Sequence, residues 1–464
     1  MRRLSKNFIS LILSDVVRRI LGFLAVAYLA RKVGASGFGA VNIGFTVLSY
    51  ALMTSTAGLN TFGTRKTALG ISNDDVGTLV GLRLITALLT FFVVSLIAVM
   101  LVPNATMSKL IIVFCLSLFA NALLVEWFFQ GKEEMLIVGI GRVTSTAIYL
   151  LLLLGIVRSA DDIIMVAIAA IAGDFVAASL LFTACKRRIG AIPIRLAPQG
   201  WKTIILSAFP LGFGSLMAHF SINLPPLVLG IMMTNSDVGL YSAASKLVFF
   251  LLMLDRVLAT LLLPASTRRH EVSPETLAST LSTALKWITT TALPVSVGGS
   301  ILAHQIVPIV FGQQYVEAAG VFRILVWLFF FTTLHTVYTS GMIAIGEEKV
   351  YGRVMIISAV VYAASIIACT KLFGLVGAAT AVVCSEAGTL ILMRNRFSSF
   401  VKIPLPGRTF NTVVSTGLMA LVLLQLPLWN LFLSILIGGI VYAVALFLTR
   451  AVTHAEILSI LRRV

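Results

Sequence analysis

The chain has 464 residues, of which 59% are hydrophobic and 11% are charged, and its mean hydropathy is +1.03. A soluble domain is about 45–50% apolar and about 25% charged, so this composition excludes the soluble class. The net charge of +17 is typical of nucleic-acid-binding proteins, but here the basic residues lie in short segments between long apolar runs. The composition therefore predicts a polytopic, all-α membrane protein that does not bind nucleic acid.

Apolar runs of about 20 residues, each bounded by glycine, proline or charge, predict about fourteen transmembrane helices. The predicted limits are 8–30, 38–64, 76–101, 109–130, 135–157, 161–185, 203–233, 238–263, 277–311, 316–345, 350–372, 375–393, 409–427 and 430–449. The first run follows a basic N-terminus, as the core of a signal peptide does, but charged residues interrupt it before any cleavage site. We therefore expect the first helix to be retained.

The first apolar run carries charge where a membrane helix ordinarily has none. Asp15, Arg18 and Arg19 lie near its middle. One arginine at the centre of a spanning helix costs about 2.5–3.5 kcal/mol on insertion scales, so these side chains must face water, a ligand or a partner. Asp15 precedes the arginines by three and four residues, the spacing at which side chains meet on one helical face, and one positive charge remains.

The distribution of lysine and arginine predicts the orientation of the helices. With the N-terminus inside, the outer loops hold only Arg31, Lys32, Lys109, Arg158 and Lys371, and the other loop and terminal basic residues are cytoplasmic. Cytoplasmic loops are enriched in lysine and arginine. We expect a multi-pass protein of the inner (plasma) membrane with both termini in the cytoplasm.

Two short motifs recur six predicted helices apart. Ser36-Gly-Phe-Gly39 recurs as Ser236-Asp-Val-Gly239, and Gly131-Lys-Glu-Glu134 recurs as Gly346-Glu-Glu-Lys349. An even displacement gives both halves the same orientation, which predicts two six-helix bundles around a central cavity. The predicted divisions are an N-terminal bundle at 1–185, a basic cytoplasmic linker at 186–202, a C-terminal bundle at 203–393, and two further helices with a cytoplasmic tail at 394–464.

Basic residues outnumber acidic residues inside the predicted helices. The basic set is Arg18, Arg19, Arg83, Arg142, Lys246, Arg256, Lys286 and Arg323, and the acidic set is Asp15, Glu126, Asp174, Asp255 and Glu386. A net basic interior indicates an anionic amphiphile as cargo, and phosphate is the anion that guanidinium and ammonium groups bind best. We predict that Arg18, Arg19, Lys246, Arg256 and Arg83 bind the substrate. For Arg83 and Arg142, snorkelling to the cytoplasmic interface is an alternative.

Two acidic residues occupy matching places in the sixth and twelfth predicted helices. Asp174 and Glu386 each follow a small residue or serine and precede a basic cytoplasmic end. We predict that they, together with Asp15, bind a coupling cation. A structural ion pair is the alternative for each, because an intramembrane acid is stable only when it is paired or hydrated.

Several blocks carry a resemblance to a known family. They are Tyr28-Leu-Ala-Arg31 with the glycine-rich turn to Gly39, Gly58 to Arg65, Val125-Glu-Trp-Phe-Phe-Gln-Gly131, Val238-Gly-Leu-Tyr-Ser-Ala-Ala-Ser-Lys246, Val310-Phe-Gly-Gln-Gln-Tyr315 and Leu375-Val-Gly-Ala-Ala379. In this order they resemble the signature blocks of the polysaccharide transporters, flippases of the multidrug/oligosaccharidyl-lipid/polysaccharide exporter superfamily. One departure is Asn223-Leu-Pro-Pro226, where many relatives carry an acidic or basic pair.

The resemblance implies a specific cargo and cycle. The cargo would be a polyprenyl-diphosphate-linked oligosaccharide, moved from the cytoplasmic to the outer leaflet by alternating access and coupled to a cation gradient. The protein would work as a monomer among membrane lipids, with a polysaccharide polymerase as a possible partner. No cofactor is expected, because the four cysteines lack the spacing of a metal site.

Two other functions compete with this interpretation. A multidrug exporter of the same superfamily would share the fold, but cationic drugs require a net acidic interior. A membrane enzyme of polysaccharide assembly, such as a polymerase, would require a catalytic site. The predicted outer loops are short, and no Asp-x-Asp, His-Glu-x-x-His or Gly-x-Ser-x-Gly motif is present, so we do not expect an enzyme.

Overall fold

The computed structural model describes residues 2–194, 201–404, 407–425 and 430–453, including the side chains of all of these except 2–12 and 210–222. Within these residues all regular structure is helical, which confirms the predicted all-α class. The α-helices are α1 (Arg2–Thr56), α2 (Leu59–Ala68), α3 (Asn73–Leu101), α4 (Ala105–Cys115), α5 (Ser117–Leu123), α6 (Glu126–Gly131), α7 (Met135–Ile156), α8 (Ile163–Ile189), α9 (Trp201–Met232), α10 (Asn235–Leu251), α11 (Met253–Val272), α12 (Pro274–Ile301), α13 (Ala303–Phe311), α14 (Ala318–Leu325), α15 (Trp327–Ala344), α16 (Glu348–Phe397), α17 (Thr409–Gln425) and α18 (Leu431–Leu448).

Two of these elements each contain two predicted transmembrane helices. The break in α1 is at Gly34 (φ 69°), and the break in α16 is at Gly374 (φ 58°). Both glycines adopt a left-handed φ, which residues with a Cβ rarely adopt. In α16 the two arms fold back on one another, which brings the Ser365 and Ser385 hydroxyl oxygens to within 3.0 Å. Both turns fall in the gaps between predicted helices, at 31–37 and at 373–374.

The described helices establish a multi-pass membrane protein. Eight helical segments of the described part are long and apolar enough to cross a membrane, and a ninth is added if α12 and α13, bent by 78°, form one span. Other predicted spans correspond to helices outside this set, such as α1 and α17. The count of about fourteen and the orientation of the termini stay predictions.

The chain forms two compact units, residues 1–239 and 240–464. In the first unit α9 packs against α1 and α2, so the seventh predicted helix joins the first six there. The predicted bundle and linker limits stay predictions. Parts of the predicted linker (195–200) and of the C-terminal region (405–406, 426–429 and 454–464) lie outside the described residues.

The core of the first unit surrounds the aromatic part of the Val125 to Gly131 block. Trp127, Phe128 and Phe129 are all at most 2% exposed, and they pack with apolar residues of α3 and α8. A Cβ on Gly63 of α2 would lie 2.7 Å from the Trp127 ring. Glycine at this position therefore lets α2 lie directly against α6, which fixes the short helix α6 in place.

In the second unit α15 occupies the centre, between α11, α12 and α16. Its buried residues Phe329, Val337 and Met342 join a core cluster with Leu281 of α12 and Phe397 of α16. The C-terminal helices attach from outside this core: α17 packs on α12, and α18 packs on α17. The Tyr442 hydroxyl of α18 donates a hydrogen bond of 2.6 Å to the Thr290 carbonyl of α12.

The first motif of the internal repeat contacts its own copy within the first unit. A Cβ on Gly39 would lie 1.7 Å from the Asn235 carbonyl oxygen, and a Cβ on Gly239 would lie 1.9 Å from the Ala35 carbonyl oxygen. In the repeat, Gly39 corresponds to Gly239 and Ala35 corresponds to Asn235. The same backbone contact is therefore made twice, which supports the repeat inferred from the sequence.

We expect Gly239→Ala to destabilise the protein, because the new methyl group meets backbone atoms that cannot rotate away. Overpacking of this kind typically costs about 1–3 kcal/mol. Gly39→Ala should behave in the same way. The measurement is the apparent unfolding temperature in detergent. The control is Gly155→Ala in α7, where nothing lies within 4 Å of the added Cβ. A Gly239→Ala variant as stable as the control would contradict the close backbone contact.

Candidate functional site

The fourth predicted membrane helix is broken, and a buried arginine closes the break. Helix α5 ends at Leu123 and α6 begins at Glu126. The Arg83 guanidinium of α3 donates to the Leu124 carbonyl through Nη1 (2.9 Å) and to the Asn121 carbonyl through Nη2 (2.5 Å). The last carbonyls of a helix have no intrahelical partner, and unsatisfied carbonyls are costly in a membrane. Arg83 supplies both hydrogen bonds and a positive charge at the negative end of α5.

This arrangement gives Arg83 a role that the sequence analysis did not assign. The side chain is 2% exposed, so it neither snorkels to the interface nor faces an open cavity. Both terminal nitrogens are bound to the α5–α6 break. The geometry favours a positioning residue over the predicted substrate ligand, because both terminal nitrogens are occupied and the remaining donor, Nε, is buried in a side chain that is only 2% exposed.

On the other side of the break, Glu126 opens α6 and is held by Arg142 of α7. Arg142 Nη2 lies 2.7 Å from Glu126 Oε2, and Arg142 Nε lies 3.1 Å from both carboxylate oxygens. A carboxylate in the first turn of a helix is stabilised by the positive end of the helix dipole. The two ends of the break thus carry opposite charges, each matched to its helix end, and the second is fixed further by an ion pair.

The charged trio of α1 forms the local contacts that its spacing predicts. Arg18 Nη2 lies 2.9 Å from Asp15 Oδ1, and Arg19 Nε lies 2.8 Å from Asp15 Oδ2. Both carboxylate oxygens are therefore engaged, which favours the ion-pair alternative over cation binding for Asp15. The Arg18 Nε atom is buried without a hydrogen-bond partner. Arg18 thus keeps an unused donor next to its ion pair.

These elements meet around a cavity of about 180 Å³ inside the first unit. Its lining combines two arginines, two carboxyl groups and several amide and hydroxyl groups with small residues. The lining residues are Arg18, Ala120, Asn121, Leu124, Glu126, Gly141, Arg142, Ser145, Thr146, Asp174 and Ala177. The break between α5 and α6 thus opens directly onto the cavity, as broken helices do at the binding sites of transporters.

The sixth predicted helix contributes Asp174 to this cavity. The Ser145 hydroxyl of α7 donates to Asp174 Oδ1 at 3.1 Å. The adjacent residue, Gly173, allows α7 and α8 to approach so closely that a Cβ there would lie 2.5 Å from the Ser145 carbonyl oxygen. Close helix packing therefore places this carboxyl group beside a hydroxyl. Among the described residues, no basic side chain contacts it directly.

The charged residues that line the cavity are balanced, with Arg18 and Arg142 against Glu126 and Asp174. Arg19 and Asp15, which form one ion-paired trio with Arg18, and the buried Arg83 bring the wider cluster to four arginines and three carboxyl groups. They act on one another across the cluster, since Glu126 is within electrostatic range of Arg83 and Asp15 of Arg142. Arginine forks arranged in this way are suited to an anionic head group.

The remaining predicted site residues do not line this cavity. Lys246 of α10 is partly buried, and Arg256 of α11 is exposed next to Asp255; both belong to the second unit. Glu386, in the second arm of α16, contacts His335 of α15, with 3.2 Å between Oε1 and Nδ1. The sequence analysis missed His335, although a histidine inside an apolar run is a recognisable signal when all titratable groups are counted. It also missed the Arg142–Glu126 ion pair.

Comparison with known proteins assigns the family. Residues 4–270, more than half of the chain, match the sequence model of the polysaccharide biosynthesis protein family. The chain belongs to this family, which confirms the resemblance found in the sequence blocks. It is also 25% identical over 246 residues to a protein described as "Probable low-salt glycan biosynthesis flippase Agl15" of Haloferax volcanii. That match covers 51% of this chain and 52% of the relative, so the chain spans about half the length of the curated relative.

Solved structures share the fold over most of the chain. The "Lipid II flippase MurJ, inward closed conformation" has a TM-score of 0.72 at 14% identity and covers 95% of this chain and 99% of that chain. A "multidrug resistance MATE family transporter of the MOP superfamily" has a TM-score of 0.65 at 15% identity, with 82% and 95% covered. At these identities the likeness establishes a MurJ- and MATE-like transporter fold.

We expect Arg83→Met to loosen the α5–α6 break, because it removes the side-chain donor to the Leu124 carbonyl and one of the two donors to the Asn121 carbonyl, which also accepts from the Leu124 N–H. Each unsatisfied group costs about 1–3 kcal/mol. The measurement is amide hydrogen exchange of residues 117–131, which should accelerate, together with a lower apparent unfolding temperature. Arg83→Lys should recover part of the loss. Arg158→Met, at an exposed arginine of the same unit, is the control. Unchanged exchange at the break in Arg83→Met would refute the capping role.

Proposed function

We propose that this protein is a flippase that moves a polyprenyl-diphosphate-linked oligosaccharide from the cytoplasmic to the outer leaflet. The observation that carries the proposal is the arginine-lined cavity at the α5–α6 break, in which Arg18 has an unused donor. Membership of the family and the description of two similar proteins as flippases support the same assignment. The proposal includes a location in the plasma membrane with both termini in the cytoplasm. It also includes a monomeric state and a polysaccharide polymerase as a partner.

The size of the cavity indicates which part of the cargo it holds. A cavity of about 180 Å³ has room for a phosphate-sized group. The proposed occupant is therefore the diphosphate. Arg18 and Arg142 would contact it, and Arg19 would act through Asp15. The glycan and the polyprenyl chain would lie outside the cavity.

The membrane potential assists the proposed movement. Transfer of negative charge outward across an inside-negative membrane is favourable by about 2.3 kcal/mol per charge per 100 mV. We propose that a cation gradient supplies the rest and that Asp174 or Glu386 binds the cation. Each is an intramembrane acid without a direct arginine or lysine partner among the described contacts.

A multidrug exporter is the competing function, because a MATE transporter shares the fold. The cavity argues against it. Of its two carboxyl groups, Glu126 is already paired with Arg142, so a cationic drug would find only Asp174 without a basic partner among the described contacts. Export of a cationic dye by the reconstituted protein, without movement of a lipid-linked oligosaccharide, would favour the competing function.

We expect Arg18→Ala to reduce transport about tenfold or more, because a charge-assisted hydrogen bond to the diphosphate is worth about 1.5–3 kcal/mol. Arg18→Lys should rescue only part of the activity, since an ammonium lacks the bidentate fork. The measurement is transbilayer movement of a fluorescent polyprenyl-diphosphate-linked oligosaccharide in vesicles. Arg19→Ala should act more weakly, because Arg19 does not line the cavity. The double variant Arg18→Ala/Arg19→Ala should lose transport almost completely.

Asp15→Asn separates substrate binding from a purely structural ion cluster. In a dry cluster the change would leave two uncompensated arginines and would unfold the protein. In a hydrated cavity it should be tolerated, and Asp15 is 35% exposed. Arg158→Ala is the matched control for the arginine variants. Normal transport by the double alanine variant at normal abundance would refute the assignment.

Orientation is tested by single cysteines in a cysteine-free background. A cysteine at Ser159 should react with an impermeant thiol reagent from outside, and a cysteine at Lys132 should react only after the membrane is opened, because the basic loops are proposed to be cytoplasmic. Both positions are exposed at helix ends, so lack of reaction cannot be assigned to burial. Reaction of Lys132→Cys from outside would reverse the proposed orientation of this pair of helices.

A further inference from the structure

The second unit holds a cluster of titratable side chains that the proposed cargo site does not use. His335 of α15 lies against Glu386 of α16, with 3.2 Å between Nδ1 and Oε1. Their side chains are 12% and 24% exposed. Asp255 of α11 is within electrostatic range of both groups, and the Thr336 hydroxyl lies next to its carboxylate. Helix α15 packs on both α11 and α16, and each of these three helices contributes one titratable group.

Two atoms of the cluster have unused hydrogen-bonding capacity. His335 Nε2 and Asp255 Oδ1 are both buried without a hydrogen-bond partner. If His335 Nδ1 carries its hydrogen and donates to Glu386, then Nε2 is a free base in an apolar surrounding. Such atoms are uncommon in folded proteins, in which buried polar groups are almost always paired. Both atoms are placed to take up a proton.

The charges of the cluster also call for a proton. With a neutral imidazole and two ionised carboxylates, the cluster carries two negative charges that repel one another. A proton removes one of these charges or turns the His335–Glu386 contact into an ion pair.

The surroundings of the cluster supply little direct compensation. From α11, Arg256 is within electrostatic range of Asp255 but is itself exposed. Within α16, Tyr351 is within electrostatic range of Glu386. Arg394, also in α16, is within electrostatic range of Tyr338 in α15. From α12, the Lys286 ammonium lies over the Trp287 ring. From α14, Arg323 is exposed.

A proton fits this cluster better than a metal ion does. Histidine is the side chain whose charge ordinarily changes between about pH 5 and 8. Hard cations prefer oxygen ligands, and one of the three groups here is an imidazole. The described residues also contain no group of three or more His, Cys, Asp or Glu that could hold a metal.

We propose that His335, Glu386 and Asp255 form a proton-binding site and that protons are the ions whose inward flow drives the cargo outward. The second part rests on the proposed flippase function; the first part does not. Bound, the proton draws α11, α15 and α16 together by replacing repulsion with attraction. Released, it leaves two like charges that loosen the same three helices. Asp174 differs, because its cavity is rich in arginine and contains no imidazole.

Proton binding is tested without cargo, by infrared difference spectra of the purified full chain between about pH 5 and 8. The wild type should show a carboxyl band that disappears as the pH rises. Glu386→Gln and Asp255→Asn should each alter or abolish this titration, and His335→Asn should shift its midpoint. The control is Glu317→Gln, at an exposed acid of the same unit. An identical titration in the wild type and all three cluster variants would overturn the proposal.

Coupling is tested in vesicles with a fluorescent polyprenyl-diphosphate-linked oligosaccharide as probe. An inward proton gradient should accelerate its outward movement, and an equal sodium gradient should not. Glu386→Gln and His335→Asn should reduce the acceleration about tenfold, within the range of typical coupling energies, with each variant measured relative to its own movement without a gradient. His304→Asn, at an exposed histidine, should behave as wild type. Acceleration by sodium alone, or full acceleration in both variants, would overturn the coupling role.

The two experiments fail independently. If the wild type moves no probe but the carboxyl titration is lost in Glu386→Gln, the proton site stands and the flippase function is wrong. If the wild type moves the probe and the variants respond fully to the proton gradient, the flippase function stands and the proposed coupling is wrong.

Discussion

Polar groups within a membrane must find their partners inside the protein, and this constraint shapes the first unit. The break between α5 and α6 exposes carbonyls that lipid cannot satisfy, and Arg83 satisfies them from α3. Glu126 is the first residue of α6, and Arg142 of α7 forms an ion pair with it. The cavity exists because this one interruption is stabilised on both sides. Its arginines are therefore part of the architecture as well as the proposed contacts to cargo.

The two units concentrate different chemistry. The first unit gathers four arginines against three carboxyl groups, an arrangement that favours an anion. The second unit gathers two carboxyl groups around one imidazole, an arrangement that favours a proton. Under the proposals made here, cargo and driving ion bind to separate groups of helices. The cargo and the ion then do not compete for the same charged groups. Binding of one affects binding of the other through movement of the helices.

The sequence predicted the features that depend on composition and on the spacing of residues along one helix. The α-helical class followed from composition, and the contacts of Asp15 with Arg18 and Arg19 followed from their separation along one helix. The role of Arg83 did not, because its partners lie at Asn121 and Leu124 on another helix and are backbone atoms without a sequence signature. The pairing of His335 with Glu386 likewise joins residues far apart in the chain. Hydropathy did place the turn at Gly374, which falls between the predicted helices 350–372 and 375–393.

The mutual contact of Gly39 and Gly239 has an evolutionary consequence. Corresponding residues meet in pairs, Gly39 with Asn235 and Ala35 with Gly239, which is the geometry of a contact between identical surfaces. A half-length ancestor that paired with its own copy would have formed both contacts from a single sequence. If the two halves arose by duplication and fusion, each glycine would be constrained by the backbone of the other repeat, and this pair of positions would tolerate less change than the rest of the two halves.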